Sequence, residues 1–510
     1  MEAPQAENLL RFSNDDLELF SQASHDHNPL HLSDDYARKT SFANRVVFGI
    51  LGGLFGLSHL QDRPGMRLNK IVLEFLAPLY VDLPYSLTVK EATPEKAVIR
   101  IFDGRRLMSK VTAHFSPGTP SQIRTAAHHA ALTEAALLSI SDLAEGVQVE
   151  ETYLPKIDLL RKLINNLNLS QKGIGELEIA ILLWASYFVG MELPGTQALF
   201  SKFSLNLEDS IPDLIEPFSY KASLIQLDDR YNLLRTKVEL AASGMPLARG
   251  EIQSFIRPDP PTSTTASIET LMPRSDALKG KVALVTGASR GLGAAIARTL
   301  VLQGCTVLVN FLRSRSEAEQ LQTASANAPG KLVLMQGDAS ELSWCLSTQQ
   351  EILEKYGKLD FLICNACPAI LPLWIEPAAI IRVNDYVSKS LALMSVPMSV
   401  FLNLLSENSG SVIVISSVVV SQSSPSDWPH YTSAKHAIEG ITRVASVEYS
   451  EVSFLLVRPP KLLTDQTNTP MGRQAAISPE IIAVKIVQDL IDNQPPKHLK
   501  ILEDFISESN

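Results

Sequence analysis

The sequence is poor in cysteine. Only four stand among 510 residues: Cys305, Cys345, Cys364 and Cys367. A disulfide framework is not expected in so long and cysteine-poor a chain, which points to a reducing compartment, the cytoplasm. Basic charge is also scarce, with a net charge of −10. Nucleic-acid binding usually draws on a basic face, so no nucleic-acid partner is expected. Long apolar runs are missing as well. The longest, Val46 to Leu57 (VVFGILGGLFGL), is too short to span a bilayer, and no membrane span is expected. Its four glycines suggest a buried helix packed closely against its surroundings. The opening MEAPQAENLL lacks the basic-then-apolar order of a secretory leader. What is present is the mix of a foldable globular protein, 45% hydrophobic and 20% charged, with length for about three domains.

Proline, serine and threonine crowd residues 257–277, where no apolar period persists. This stretch reads as an interdomain linker. The half before it repeats itself weakly. An apolar helix pattern, Pro64-Gly65 and four alternating segments (KIVLEFLAPLYV, YSLTVKEA, KAVIRIFDG, LMSKVTAHF) come first. ILLWASYFVGMEL, Pro194-Gly195 and another four (ALFSKFSLNL, YKASLIQL, LLRTKVELAA, ARGEIQSFI) follow. The offset is 130 residues at the Pro-Gly pair and 140 at Phe115 and Phe255. Two copies of a helix wrapped by an antiparallel sheet, over 1–120 and 121–256, is the simplest reading. The half after the linker, 278–510, alternates strands (VALVTG, CTVLVNF, KLVLMQGD, LDFLICNA, GSVIVISS, VSFLLVRP) with helix patterns. That argues for βαβ units and an α/β doubly wound parallel sheet.

After VALVT comes Gly287-Ala-Ser-Arg-Gly291-Leu-Gly293. Glycines between a strand and a helix allow a tight turn and let a pyrophosphate approach the backbone and the helix N-terminus. The next strand ends VLVNFLRSRS. Where a free ribose 2′-hydroxyl usually meets Asp or Glu stands Asn310, followed by Arg313 and Arg315, with Arg290 in the loop. Cations suit a 2′-phosphate, so NADP(H) is expected rather than NAD. Further on, Tyr431-Thr-Ser-Ala-Lys435 puts a phenol and an ammonium on one helix face. The ammonium favours the phenolate and improves proton exchange near neutral pH.

These residues resemble the short-chain dehydrogenase/reductases, closest to those acting on β-ketoacyl thioesters. The resemblance covers about residues 279 to 505 and implies a Rossmann fold. It implies Tyr431 as proton donor, with Lys435 lowering its pKa and holding the nicotinamide ribose. It implies Ser417, with Ser416 as the alternative, to polarise the carbonyl, and Asn384 to complete a proton relay. It further implies cofactor contacts for Gly287, Ser289, Arg290, Gly291, Leu292 and Gly293, for Asp338 and Ala339 beside the adenine, and for Asn365 and Ala366. The family's Asn-Asn-Ala-Gly is Cys364-Asn365-Ala366-Cys367 here. With no second cysteine pair, no metal is expected there.

Residues 24 to 31 read SHDHNPLH. Three histidines in a segment broken by Pro29, without further ligands, make a poor metal site. A carboxylate and an imidazole can instead share acid and base roles around one water. An N–H at a helix start can meet a thioester oxygen as enolate charge develops. The stretch resembles the MaoC-like, hydratase-2 type hot-dog proteins, which carry Asp-x-Asn-Pro-x-His before a glycine-containing helix. Asp26, Asn28, Pro29 and His31 match, Gly49 matches the oxyanion glycine, and Tyr36-Ala-Arg38 with Phe42 adds to the match. The family's His before that glycine is Phe48. The later copy keeps VGMELPG but lacks the Asp-His motif, so the resemblance implies an α+β double hot-dog half whose second copy widens the acyl tunnel.

Together the halves imply a 3-ketoacyl thioester reductase joined to a 3-hydroxyacyl thioester dehydratase. The acyl group would ride on acyl carrier protein or CoA. A homodimer is expected from both module types. Two other readings fit the same residues: the oxidative direction on acyl-CoA, and a reductase whose hot-dog half only binds acyl chains.

Overall fold

Alternating apolar and polar residues make the strands of the first half, because successive strand side chains face opposite sides. The structure, a computed structural model, describes residues 9–124, 134–208, 213–214, 216–261, 263–492 and 499–505; most of the opening segment read for a leader lies outside them. The chain divides into two units between Asp259 and Pro260. The first unit has strands β1 (Leu9–Leu10), β2 (Met66–Phe75), β3 (Tyr85–Thr93), β4 (Lys96–Asp103), β5 (Arg106–Pro117), β6 (Gln148–Tyr153), β7 (Ala198–Leu207), β8 (Phe218–Asp228), β9 (Leu233–Ala242) and β10 (Met245–Ile256). They form one sheet in the order β1-β3-β4-β5-β2-β7-β10-β9-β8-β6. The blocks β2 to β5 and β7 to β10 have the same internal order. They meet where β2 pairs antiparallel with β7, Lys70 opposite Asn206 and Glu74 opposite Lys202.

The helices of this unit are α1 (Asn14–Ser24), α2 (Pro29–Leu32), α3 (Asp34–Ala37), α4 (Gly49–Leu57), α5 (Ile157–Asn166) and α6 (Glu176–Tyr187). Glycines let α4 press on the sheet. A Cβ at Gly53 would stand 2.5 Å from the Leu73 side chain, and one at Gly52 2.8 Å from Leu79. Helix α6 is buried all round from Leu177 to Tyr187, as a helix without a polar face must be. It runs into a π-helical turn, Phe188–Glu192.

The second unit begins with a difference from expectation. The stretch read as a linker holds α7 (Thr265–Leu271), capped by Thr264, with Ile268 wholly buried. One apolar residue in a Ser/Thr-rich stretch is enough to seat a short helix, and composition hides it. Strands β11 (Val282–Val285), β12 (Thr306–Phe311), β13 (Lys331–Gln336), β14 (Phe361–Cys364), β15 (Ser411–Ile415), β16 (Ser453–Val457) and β17 (Lys500–Leu502) are all parallel, in the order β13-β12-β11-β14-β15-β16-β17. This is the doubly wound Rossmann order, whose crevice lies past the carboxyl ends of β11 and β14. The helices are α8 (Gly291–Leu302), α9 (Arg315–Ala324), α10 (Leu342–Tyr356), α11 (Ile380–Glu407), α12 (Pro429–Glu448), the short α13 (Pro470–Arg473) and α14 (Pro479–Asp492). Among the described helices α11 alone is long and apolar enough to cross a membrane. Met394, Phe401 and Leu405 on it are buried in the core under the sheet, while Ile380 and Ile381 at its start are exposed.

Candidate functional sites

In the first unit the SHDHNPLH segment is a hinge between helices. His25 ends α1 in the left-handed conformation, φ 59°. Asn28 caps α2, its Oδ1 accepting the Leu30 N–H at 3.0 Å. Its amide nitrogen donates to the carbonyls of Gly190 (3.2 Å) and Gly195 (3.2 Å) in the second copy. Asn28 therefore fastens the segment to the second copy, and it also lines the cavity between them. Asp26, 1% exposed, accepts the Asn28 N–H at 3.1 Å and the Ser186 hydroxyl at 2.7 Å. Burial pushes its carboxyl up to about 7, against the lowering effect of those two hydrogen bonds. Only glycine fits opposite it, since a Cβ at Gly190 would stand 2.5 Å from Oδ1.

His31 bonds the Val46 carbonyl through Nδ1 at 2.8 Å. Burial pulls its imidazole down to about 4; the Val46 bond opposes this, and the nearby Arg257 charge adds to it. Arg257, buried at the end of β10, donates to the Tyr36 hydroxyl and the Thr196 carbonyl, both at 2.7 Å. Gly49 opens α4 after Phe48, which makes no side-chain cap, so its N–H has no helical partner. Asp26, His31 and Gly49 line one cavity of about 250 Å³, walled by Phe42, Phe75, Phe200 and Phe255.

Ser186, Gly190 and Arg257 are the residues that motif reading misses. Ser186 and Gly190 come from the second copy and Arg257 directly follows it, so that copy does more than make room. It holds the carboxylate of the first copy's dyad. The VGMELPG segment contains Gly190, but no local pattern in it announces a contact with residue 26.

In the second unit Gly287 and Gly291 take positive φ, 62° and 56°. A Cβ at Gly287 would stand 2.9 Å from the Ala366 Cα, and one at Gly293 2.4 Å from the Gly287 carbonyl oxygen. Arg290 precedes α8 and supplies no side-chain cap, leaving the first N–H groups, those of Gly291, Leu292 and Gly293, for an anion. Ser289 and Ala339 are buried beside this loop and β13. Asn365 braces the loop, donating to the carbonyls of Thr286 (3.1 Å) and Gly287 (2.9 Å). The N–H groups of Asn365 and Ala366 both reach the Thr286 hydroxyl. These features fit a dinucleotide.

Two expected contacts need correction. Asn310 is 2% exposed; it donates to the carbonyls of Met335 and Gly337 and accepts the Gly287 N–H. It shapes the loop and does not face a ribose. Asn384 is exposed on α11 and makes no hydrogen bond among the described residues, so no relay is assembled through its side chain. Tyr386, about 200° further round the helix, is turned inward instead, donating to the Pro368 carbonyl at 3.3 Å. Of the three cations, Arg290 pairs with Asp465 at 3.2 Å and Arg315 with Glu319 at 3.5 Å. Arg313 has no partner among the described residues and is exposed past the end of β12. Asp338 accepts from Ser340 and pairs with Lys389 at 2.8 Å. Partial burial pushes its carboxyl up, but those bonds outweigh it and hold it below the usual range.

Ser417, Tyr431 and Lys435 gather beyond β15. The Ser417 hydroxyl accepts the Val419 N–H at 3.4 Å and acts on the Tyr431 phenol to lower its pKa. Lys435 Nζ donates to the Ile415 carbonyl at 2.8 Å and lies 5.5 Å from the Tyr431 ring centre. Ser416 turns the other way, donating to Glu439 at 2.7 Å, where Arg458 pairs with both carboxylate oxygens at 2.8 Å. Burial pushes the Tyr431 phenol up; Lys435 and Ser417 pull it down, Cys367 adds to the rise, and the net direction is upward. The lowering expected from Lys435 is present but outweighed. Cys364 and Cys367 are free thiols, and no group of three or more metal-ligating side chains occurs among the described residues.

Such an arrangement, a glycine loop on a doubly wound sheet with a tyrosine–lysine pair past its strands, defines a nucleotide-dependent reductase unit. Comparison with known proteins agrees. Residues 281–474 match the family described as short chain dehydrogenase, and residues 1–82 match the MaoC like domain. An uncharacterized oxidoreductase of Methylorubrum extorquens is 32% identical over 199 residues, 38% of this chain and 77% of the relative. The hydroxynaphthalene reductase-like protein Arp2 of Metarhizium acridum is 29% identical, over 39% of this chain and 74% of its own length. Elsinochrome reductase 1 of Elsinoe fawcettii is 37% identical over 18% of this chain and 33% of its own. The chain belongs to the short chain dehydrogenase family through its second unit and carries a MaoC like domain in its first.

Proposed function

We propose that this protein reduces a 3-ketoacyl thioester to the (R)-3-hydroxyacyl thioester with NADPH and dehydrates that product to the trans-2-enoyl thioester, in fatty acid or polyketide synthesis. The observation that carries the reading is the convergence of Asp26 and His31 on one apolar-walled cavity in a chain that also gathers Ser417, Tyr431 and Lys435. The names of two relatives, with reductase in each, support a reductive step in the second unit.

A nicotinamide dinucleotide held by its pyrophosphate on the Gly287–Gly293 loop would supply the hydride for C3. Ser417 donates a hydrogen bond to the ketone oxygen, and Tyr431 gives that oxygen its proton. Lys435 stabilises the phenolate that forms. In the first unit His31 Nε2 takes the α-proton while the Gly49 N–H meets the thioester oxygen as enolate charge builds. The Asp26 carboxyl gives its proton to the departing hydroxyl, so the C3–O bond breaks with water as the product. Ser186 on helix α6 of the second copy holds the Asp26 carboxyl, in a double hot-dog arrangement. The carrier, acyl carrier protein or CoA, stays outside the cavity.

One incubation tests this: the purified protein, a 3-ketoacyl thioester and NADPH, with products read by mass. A gain of two hydrogens followed by loss of water supports both activities. A product that stops at the hydroxy thioester refutes dehydration of that substrate, and no consumption of NADPH refutes the reductase. The unpartnered Arg313 gives a separate expectation. Arg313→Ala should raise the KM for NADPH by about tenfold, the loss of one charged hydrogen bond, and leave that for NADH unchanged. Equal effects on both would place the 2′-phosphate elsewhere.

A further inference from the structure

Phe48 departs from the MaoC-like pattern, and its contacts show what the substitution does. The Phe48 ring lies on the His31 imidazole, centres 3.9 Å apart and planes 27° from parallel. Its other neighbour is Phe20, at 4.7 Å. Phe48 is fully buried. The imidazole is thus pressed flat by a ring that neither donates nor accepts a hydrogen bond, while Nδ1 is bound to the Val46 carbonyl at 2.8 Å. A carbonyl only accepts, so Nδ1 carries the hydrogen and Nε2 the lone pair. No protein group bonds Nε2 among the described residues, and His31 lines the cavity.

We propose that Phe48 is a positioning residue for dehydration: its ring fixes the imidazole plane, so that Nδ1 stays on the Val46 carbonyl and Nε2 is presented to the substrate's α-proton. This rests on the proposed function of the first unit and deepens it. The family's histidine at position 48, with nitrogens in the ring itself, could offer Nδ1 or Nε2 another hydrogen bond, and a smaller side chain would let the imidazole rotate. The charged groups around His31 are Arg257, at the end of β10, and Asp26, on its own segment. Arg257 opposes protonation, and Phe48 excludes the water that would favour it. His31 is therefore a neutral base, beside a still-protonated Asp26, between about 4 and about 7.

The test compares the full chain with its Phe48→Leu and Phe48→Tyr variants. Leu removes the ring; Tyr keeps it. The readouts are the ¹⁵N shifts of the His31 ring, which separate the two tautomers, its titration, and dehydration turnover. In Phe48→Leu we expect mixed tautomers, a titration that moves up from about 4, and a kcat lower by about 10²-fold, the scale of a misplaced catalytic group. Ketone reduction should not change. Phe48→Tyr should keep the wild-type tautomer. A folded Phe48→Leu protein with wild-type His31 shifts and titration would overturn the proposal. So would a Phe48→Tyr protein that loses the tautomer with its ring in place. If the wild-type protein fails to dehydrate any thioester, the proposed function falls, while the ring spectra still decide the part played by Phe48.

Discussion

Asp26→Asn should reduce dehydration by about 10³-fold, within the range that a positioned proton donor contributes, and leave ketone reduction untouched. The substitution is chosen for its shape. Asn keeps one oxygen to accept the Asn28 N–H, its amide nitrogen can donate to the Ser186 hydroxyl, and it fits against Gly190, where no Cβ is tolerated. What it loses is the proton. The pH dependence follows from the two environments. His31 is neutral above about 4 and Asp26 is protonated below about 7, so the pair is correctly charged between those values. Dehydration should fall below about 4 as the base is lost and above about 7 as the acid is lost. Measured pH profiles of kcat for the hydroxy thioester check this. A profile flat through pH 7, or an Asp26→Asn protein with full activity, would remove Asp26 from the role of acid. Ser186→Ala offers a milder version. It takes away a bond that lowers the Asp26 pKa, so the alkaline limb should move up while activity persists.

Much of this was legible because burial imposes period. ALFSKFSLNL and LLRTKVELAA are strands β7 and β9 at the residues their alternation marks. The Pro-Gly repeat foreshadowed two blocks of strands with one internal order, since each block has to wrap its own helix. The glycine loop was legible for a different reason: only glycine adopts the positive φ at 287 and 291 without strain. What sequence could not show is side-chain direction. Asn310 stands where a ribose contact is expected, yet its amide turns into the sheet and ties β12 to β13 and the loop. Asn384 and Tyr386 differ by two positions on one helix, which is enough to put one outside and the other against Pro368. Ser416 and Ser417 differ by one, and alternation at the strand end sends the first to Glu439 and the second to Tyr431. Ser186 lay beyond reach for want of proximity. Its partner is 160 residues away, and contacts between the copies, the pairing of β2 with β7 and the Asn28 bonds among them, bring the two together.

Tyr431→Phe should lower ketone reduction by about 10³-fold, with NADPH binding retained and dehydration of the hydroxy thioester unchanged. The reasoning starts from the direction of its pKa. Burial holds the phenol protonated, and Lys435, though close, does not overcome it. A phenol that keeps its proton at neutral pH is suited to give it to a nascent alkoxide, as the proposed reduction requires. The rate of reduction should therefore stay level through neutral pH and fall only on the alkaline side. The oxidative reaction needs the phenolate and should rise with pH over the same range. Ser417→Ala should slow reduction by about tenfold or more, because the carbonyl loses a hydrogen bond that strengthens as charge develops. Ser416→Ala leaves that bond alone and loosens Glu439, which also holds Arg458, so it should act on thermal stability rather than on turnover. Equal losses of turnover in the two serine variants would mean that the strand end moves as one piece. Full reduction by the Tyr431→Phe protein would show that the ketone takes its proton from another donor, and Tyr386, half-buried near Tyr431, would then be the residue to change next.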